Sequence, residues 1–357
     1  MPQTGSADAG LVGMHGDGAE FVEVLHFRSS KFVFSISGRW NKEQGMRAYA
    51  VKSFGEAPAI HDLPIPAADG AFLIRVKYAG VNPIDYKLVD RLTPSTPFPF
   101  VMGIDFAGVV ERVPARERDL QTGERVFGMA RTHGAYAEYT AASPSANAEP
   151  LARISDGVID EQAAALPISA ITALGSLELL SVAAGQRLVV TGATGGVGGY
   201  SVQMARARGA HVIATVRGDA DEARRLGADE VYDTNDVDVI DAIRASHPGG
   251  VDAVLDLVNG KDAIRRDAEV LKSGGGLVST IYAADVAWFA EHQVTAHNIA
   301  STTNPSSSPQ GLSEVARMLA DGTITARIRA TVELDGVAQI LEKLRGGGLR
   351  GKAVVRL

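Results

Sequence analysis

The chain reads as an α/β protein of two domains, a small β-barrel-like unit and a doubly wound parallel sheet. Three observations predict this. From Met46 to about Ala165 short alternating apolar runs are broken by dense Gly and Pro, the pattern of strands joined by turns. From about Pro167 to Thr303 strand-like and helix-like runs alternate, which argues for parallel strands with crossover helices. The stretch "LVVTGATGGVGGYSVQMARARGAHVIATVRG", Leu188 to Gly218, sets a glycine-rich turn between an apolar strand and a helix.

Composition narrows the classes. A chain of 357 residues, 45% hydrophobic, is long enough for two cores. Its net charge of −7 gives no basic surface for nucleic acid. There is no cysteine, so disulfides, thiolate zinc sites and cysteine nucleophiles are excluded together. That absence fits a reducing cytoplasm. The longest low-charge segment, Ala163 to Gly185, contains Pro167 and Glu178 and reads as a buried helix rather than a membrane span. The first residues lack the basic start and apolar centre of a signal peptide.

Residues 1–45 are rich in Gly, Ser and Ala and read as an extension of unknown role, or as the product of a misplaced start codon. The strand candidates then follow as "MRAYAVKSF", "AFLIRVKYAGV", "FAGVVERV", "GERVFGM" and "GAYAEYTAA". In the second part they are "RLVVTGA", "HVIATV", "DEVYD", "VDAVLDLV" and "GGLVST", with helices at "GGYSVQMARARG" and "DADEARRLG". "NPSSSPQG" marks a turn before a helix, and "GLRGKAVVRL" reads as a last strand returning to the first unit. The expected domains are 46–166 with 304–357, and 167–303.

Gly192, Gly195 and Gly198 are spaced G-x-x-G-x-x-G, with Thr194, Gly196, Val197 and Gly199 among them. Between a strand and a helix, such a loop brings backbone N–H groups to a pyrophosphate. The bland alternative is a tight turn with glycines present for packing. At the end of the next strand an NAD site places Asp or Glu, whereas NADP needs a cation. Arg217 stands there, so NADPH is the expected cofactor, although Asp219, Asp221 and Glu222 follow closely. Val258 follows "VDAVLDL" at a strand's carboxyl end, where ligands of open α/β sheets bind, or it simply packs.

In order along the chain stand "GVNPIDYKL", "MGIDFAGVVERV", "GERVFGM", "GAYAEY", "AALPISAITAL" and "TGATGGVGG". Together they resemble the medium-chain dehydrogenase/reductase superfamily, in its zinc-free quinone oxidoreductase (zeta-crystallin-like) branch. The resemblance spans Met46 to Leu357 and implies a GroES-like catalytic domain, a Rossmann domain and a cofactor between them. Zinc-dependent relatives carry a cysteine and a His-Glu pair where this chain reads "VNPIDYK" and "MGIDFAG", so no metal is expected. The eight histidines are scattered, and His133 reads as a loop residue.

Without a metal the fold suits hydride transfer to quinones or to C=C bonds conjugated with a carbonyl. By resemblance, Asn82 faces the nicotinamide and substrate, Thr172 contacts the nicotinamide, and Lys352 lies near the phosphates. Tyr86 is the candidate proton donor or substrate-orienting hydroxyl, with Lys87 assisting by charge; solvent is the other proton source. Their bland alternatives are a turn pair at Asn82-Pro83, a half-buried aromatic and a solvated lysine. Thr234 stands where relatives often carry a tyrosine, which leaves Arg217 less help. The family further implies a homodimer joined through "QVTAHNIAST", Gln293 to Thr302. Two competitors stay open: a protein that binds NADPH as a sensor or structural element with little turnover, and a reductase module of a larger synthase.

Overall fold

A computed structural model describes residues 40–115, 117, 119–131, 134–143, 149–300 and 303–357. The extension's first 39 residues and His133 lie outside these. In the first part the elements are β1 (Trp40–Val51), β2 (Ala59–Pro66), β3 (Phe72–Val81), α1 (Pro83–Val89), β4 (Phe100–Val101) and β5 (Asp105–Arg112). Next come β6 (Arg125–Met129), β7 (Tyr139–Ala142), β8 (Leu151–Arg153), α2 (Asp160–Ala164) and α3 (Pro167–Leu179). The alternating segment is β9 (Arg187–Val190), α4 (Gly196–Ala207), β10 (His211–Val216), α5 (Ala220–Arg225), β11 (Glu230–Asp233), α6 (Val239–Ser246) and β12 (Val251–Asp256). It continues with β13 (Leu271–Ser279), α7 (Val286–Glu291) and β14 (Thr295–Asn298). Then follow α8 (Pro309–Ala320), β15 (Ile328–Glu333), α9 (Val337–Arg345) and β16 (Lys352–Arg356).

β9 to β14 form one parallel sheet in the order β11-β10-β9-β12-β13-β14. This is the doubly wound dinucleotide order, with its switch point between β9 and β12. Its strands read as near-continuous apolar runs because helices cover both faces. The first part builds a sheet of order β15-β16-β3-β5-β6-β8, with β7 also on β3, and a three-stranded sheet β2-β1-β4. The last strand does return: β16 pairs antiparallel with β3, placing Val354 opposite Gly80. β1 begins at Trp40 rather than at Met46, pairing with β2 across an irregularity between Asn41 and Gly45.

α3 joins the two sheets. Every residue from Ser169 to Leu177 is buried, as expected of a helix apolar on all sides. Its core takes Phe127 and Ile104 from the first part and Leu188 and Val190 from the parallel sheet. The carboxyl end of β9, the start of α3 and the start of α1 therefore face a common region.

Candidate active site

The loop after β9 is glycine-rich because its backbone is crowded. Gly192 has φ +63°, and a Cβ there would lie 2.7 Å from Val258 Cγ1. A Cβ on Gly198 would lie 2.4 Å from the Gly192 carbonyl oxygen. Gly195 donates from its N–H to Gly192 O at 2.9 Å and forms the N-cap of α4, with no side-chain cap. Gly199 N–H makes an intrahelical bond back to Gly195 O at 2.9 Å. The N–H groups of Gly196, Val197 and Gly198 have no intrahelical acceptor. They sit at the positive end of the α4 dipole, at the sheet's switch point, where a diphosphate fits.

At the end of β10, Arg217 is exposed. The nearby acid is already occupied: Asp233 accepts from Gly218 N at 2.8 Å and from Asn235 N at 2.9 Å. Thr234, in the turn after β11, donates its N–H to Val216 O at 2.8 Å. Asp219, two residues beyond Arg217, lies 4.0 Å from Arg327 and 3.9 Å from Arg329.

Between the sheets lies a buried polar cluster that the sequence reading did not find as a unit. Asn82, 1% exposed, caps α1 and donates from Nδ2 to Asp105 Oδ2 at 2.8 Å. Lys352 Nζ donates to Asn82 Oδ1 at 2.6 Å, to Val81 O at 3.0 Å and to Ser169 Oγ at 3.1 Å. Asp105 also accepts from Ile168 N at 3.1 Å, tying β5 to the first turn of α3. Asp85 Oδ2 accepts from Asn82 N at 2.7 Å and from the Tyr136 hydroxyl at 2.7 Å. Burial pushes Asp85 up to about 7 and Asp105 up to about 6, Lys352 and the hydrogen bonds to Asn82 opposing the rise. The same burial lowers the Lys352 ammonium, while Asp105 and Asp85 oppose that fall. One lysine thus serves two carboxylates, in a place where unpaired charge is costly.

The expected residues divide into three groups. Asn82 and Lys352 meet in the cluster, directly beneath the loop: a Cβ on Gly196 would lie 3.2 Å from Lys352 Cδ and 3.4 Å from Ser169 Oγ. Lys352 is 3% exposed, so its charge reaches the loop from below rather than across open solvent. Thr172 lies on α3, 8% exposed, and Val258 projects beside Gly192, 58% exposed. Tyr86 and Lys87 are half-buried on α1, and the Arg345 guanidinium lies 4.7 Å from the Tyr86 ring centroid. Asp85, Asp105, Tyr136 and Ser169 were missed. The available signal was a lone acid inside each apolar motif, "NPIDYK" and "GIDFAG".

Among the described residues no group of three His, Asp or Glu side chains is placed to hold a metal ion, and no helix is long and apolar enough to cross a membrane.

Residues 68–153 match the alcohol dehydrogenase GroES-like domain, and residues 196–321 match the family described as zinc-binding dehydrogenase. The quinone oxidoreductase of Rattus norvegicus is 32% identical over 244 residues, 65% of this chain and 72% of that protein. That of Sus scrofa is 32% identical over 223 residues, 60% of this chain and 65% of that protein, just under two thirds of its length. A solved structure, the quinone oxidoreductase from Coxiella burnetii, superposes with a TM-score of 0.77 at 27% identity, covering 88% of this chain and all of the other. Sequence, strand order and loop geometry agree: the chain belongs to the medium-chain dehydrogenase/reductase superfamily of oxidoreductases, in its quinone oxidoreductase branch.

Proposed function

We propose that this chain is a metal-free, NADPH-dependent reductase that delivers hydride to quinones or to C=C bonds conjugated with a carbonyl. The observation that carries the reading is the strand end after β10. There the acid is occupied by backbone N–H groups and an exposed arginine, Arg217, faces solvent, the arrangement that suits a 2′-phosphate.

The residues fit a dinucleotide. A side chain at Gly192 would strike Val258 and one at Gly198 the loop's own backbone, so glycines keep the loop in shape, and the N–H groups of Gly196, Val197 and Gly198 would hold the pyrophosphate. When bound, the nicotinamide supplies the hydride. Thr172 and Val258 border its place from α3 and from the end of β12. Asn82, with both ends of its carboxamide bonded, acts by fixing the start of α1. That helix carries Tyr86 and Lys87, the groups proposed to orient the acceptor and supply its proton at the developing oxyanion. Among the described residues the edge strand β14 pairs within the sheet only with β13 and is the proposed seam of a homodimer.

The test is oxidation of NADPH, followed by absorbance, against ortho-quinones, para-quinones and short enones, with NADH as control and a chelator present. Turnover with NADPH well above NADH, unaffected by the chelator, is expected. Tight NADPH binding without turnover of any acceptor would overturn the reductase reading in favour of a sensor. Light scattering of the purified chain checks the dimer.

A further inference from the structure

Arg217 and Arg350 are both exposed, and among the described residues neither forms a salt bridge or a side-chain hydrogen bond. They belong to different sheets: Arg217 follows β10, whereas Arg350 lies just before β16. The backbone nevertheless brings them to one place. A Cβ on Gly218 would lie 3.2 Å from Arg350 Nη1 and 3.4 Å from Nη2, and a Cβ on Gly347 would lie 3.3 Å from Arg217 Nη2. Each guanidinium thus rests against the backbone beside the other. Gly218 has φ +75° and Gly347 has φ +71°, so both places favour glycine and stay open.

Neither nearby carboxylate forms a salt bridge with this pair. Asp233 accepts from two backbone N–H groups, and Asp219 lies 4.0 Å from Arg327 and 3.9 Å from Arg329. Two like charges without a bonded counter-ion repel, and an anion placed between them relieves that repulsion. A phosphate accepts from two guanidinium forks at once.

We infer that Arg350 is the second arm of a 2′-phosphate clamp, closing on the phosphate from the β16 side while Arg217 holds it from the β10 side. This rests on the NADPH reading above. It gives Arg217 the support that Thr234, in place of a tyrosine, does not provide. It also means that the phosphate ties the two sheets together across their cleft.

The experiment is binding without turnover. Dissociation constants for NADPH, NADH, adenosine 2′,5′-bisphosphate and adenosine 5′-monophosphate are measured calorimetrically on the wild type, R217Q, R350Q and R350K. Arg350 is exposed, so the variants should fold, and circular dichroism verifies it. Loss of one charge-assisted pair should weaken NADPH and the bisphosphate by about tenfold in R350Q. NADH and the monophosphate should be unchanged, and R350K should recover only part of the loss because lysine lacks the fork. If the wild type prefers NADPH and R350Q keeps that full preference while R217Q loses it, the clamp is wrong and the cofactor reading stands. Should the wild type itself bind NADPH and NADH equally, both readings fall.

Discussion

Lys352 is the residue on which the buried cluster depends. It is the cation within hydrogen-bonding reach of Asn82, and it opposes the charge of both Asp105 and Asp85. Lys352→Met keeps the aliphatic stem beneath Gly196 but removes the cation that opposes both carboxylates, leaving Asp105 the charge of Arg131. Removing one partner of a buried charge pair typically costs about 3 kcal/mol or more. Urea titration should show that loss, and an unchanged midpoint would mean that both acids are neutral in the fold. The variant should also lose cofactor affinity, because Asn82 would lose the lysine bond to its Oδ1.

Asp85 gives a pH prediction of definite sign. Unfolded, its carboxyl titrates near 3.8; folded, it keeps its proton up to about 7. Between these values the unfolded chain binds fewer protons, so this group's contribution falls as pH rises through the window, then stays level. The slope approaches 1.4 kcal/mol per pH unit at most. Acids held low by arginines, the buried Glu222 and the exposed Asp238, act in the opposite sense. The difference between wild type and Asp85→Asn isolates the buried group. Going from about pH 5 to about pH 8, the wild type should lose stability relative to the variant. A constant difference across that range would sink the assignment.

At the scale of elements, the loop and α4 predict a contrast between adjacent glycines. Gly198→Ala drives a methyl to 2.4 Å from the Gly192 carbonyl and 2.8 Å from Ala193 Cα. Overpacking of this kind costs about 1–3 kcal/mol, and the displaced loop should bind NADPH more weakly. Gly199→Ala places its methyl 3.8 Å from Leu226 Cδ1 and 4.0 Å from Arg327 Nη1, ordinary contact. Inside a helix that change should leave stability level or raise it by up to about 1 kcal/mol. Parallel urea titrations compare them; equal losses would mean that the crowding is not what fixes these positions.

Elements also show what a sequence can disclose. The loop was legible because its requirements are local: a strand, glycines at fixed spacing and a helix within about one βα unit. α3 was legible because a run apolar on every face declares itself. β2, by contrast, carries Pro64 and Pro66 and among the described residues pairs only with β1, so its composition argues against a strand. β8 has three residues, too few for any period. The buried cluster was unreadable for another reason. Asp105 and Lys352 lie far apart in the sequence, and nothing local to "GIDFAG" states that "GLRGKAVV" will lie near it. Val258 was singled out from its place after a strand and Lys352 by resemblance, and a Cβ on Gly192 would meet the first, one on Gly196 the second.

At the scale of the whole molecule, the cleft contacts join sheets that pattern reading treats separately. Asp105 on β5 accepts from the first turn of α3, and Lys352 on β16 sits under the first turn of α4. Unfolding should therefore follow one cooperative transition in which tryptophan fluorescence and far-ultraviolet circular dichroism coincide. Two separated transitions would show that the cluster does not couple the sheets. NADPH should raise the midpoint of both probes together, since a ligand that binds only the folded state stabilises whatever unfolds with its site.

β16 lies inside its sheet, between β15 and β3. Cutting it away would strip β3 of its partner from Tyr78 to Val81 and remove the ammonium that opposes the charge of Asp105. The backbone groups so uncovered form a template for another chain. A variant truncated before β16 should therefore associate with copies of itself through β3, while β9 to β14 keep their own pairing.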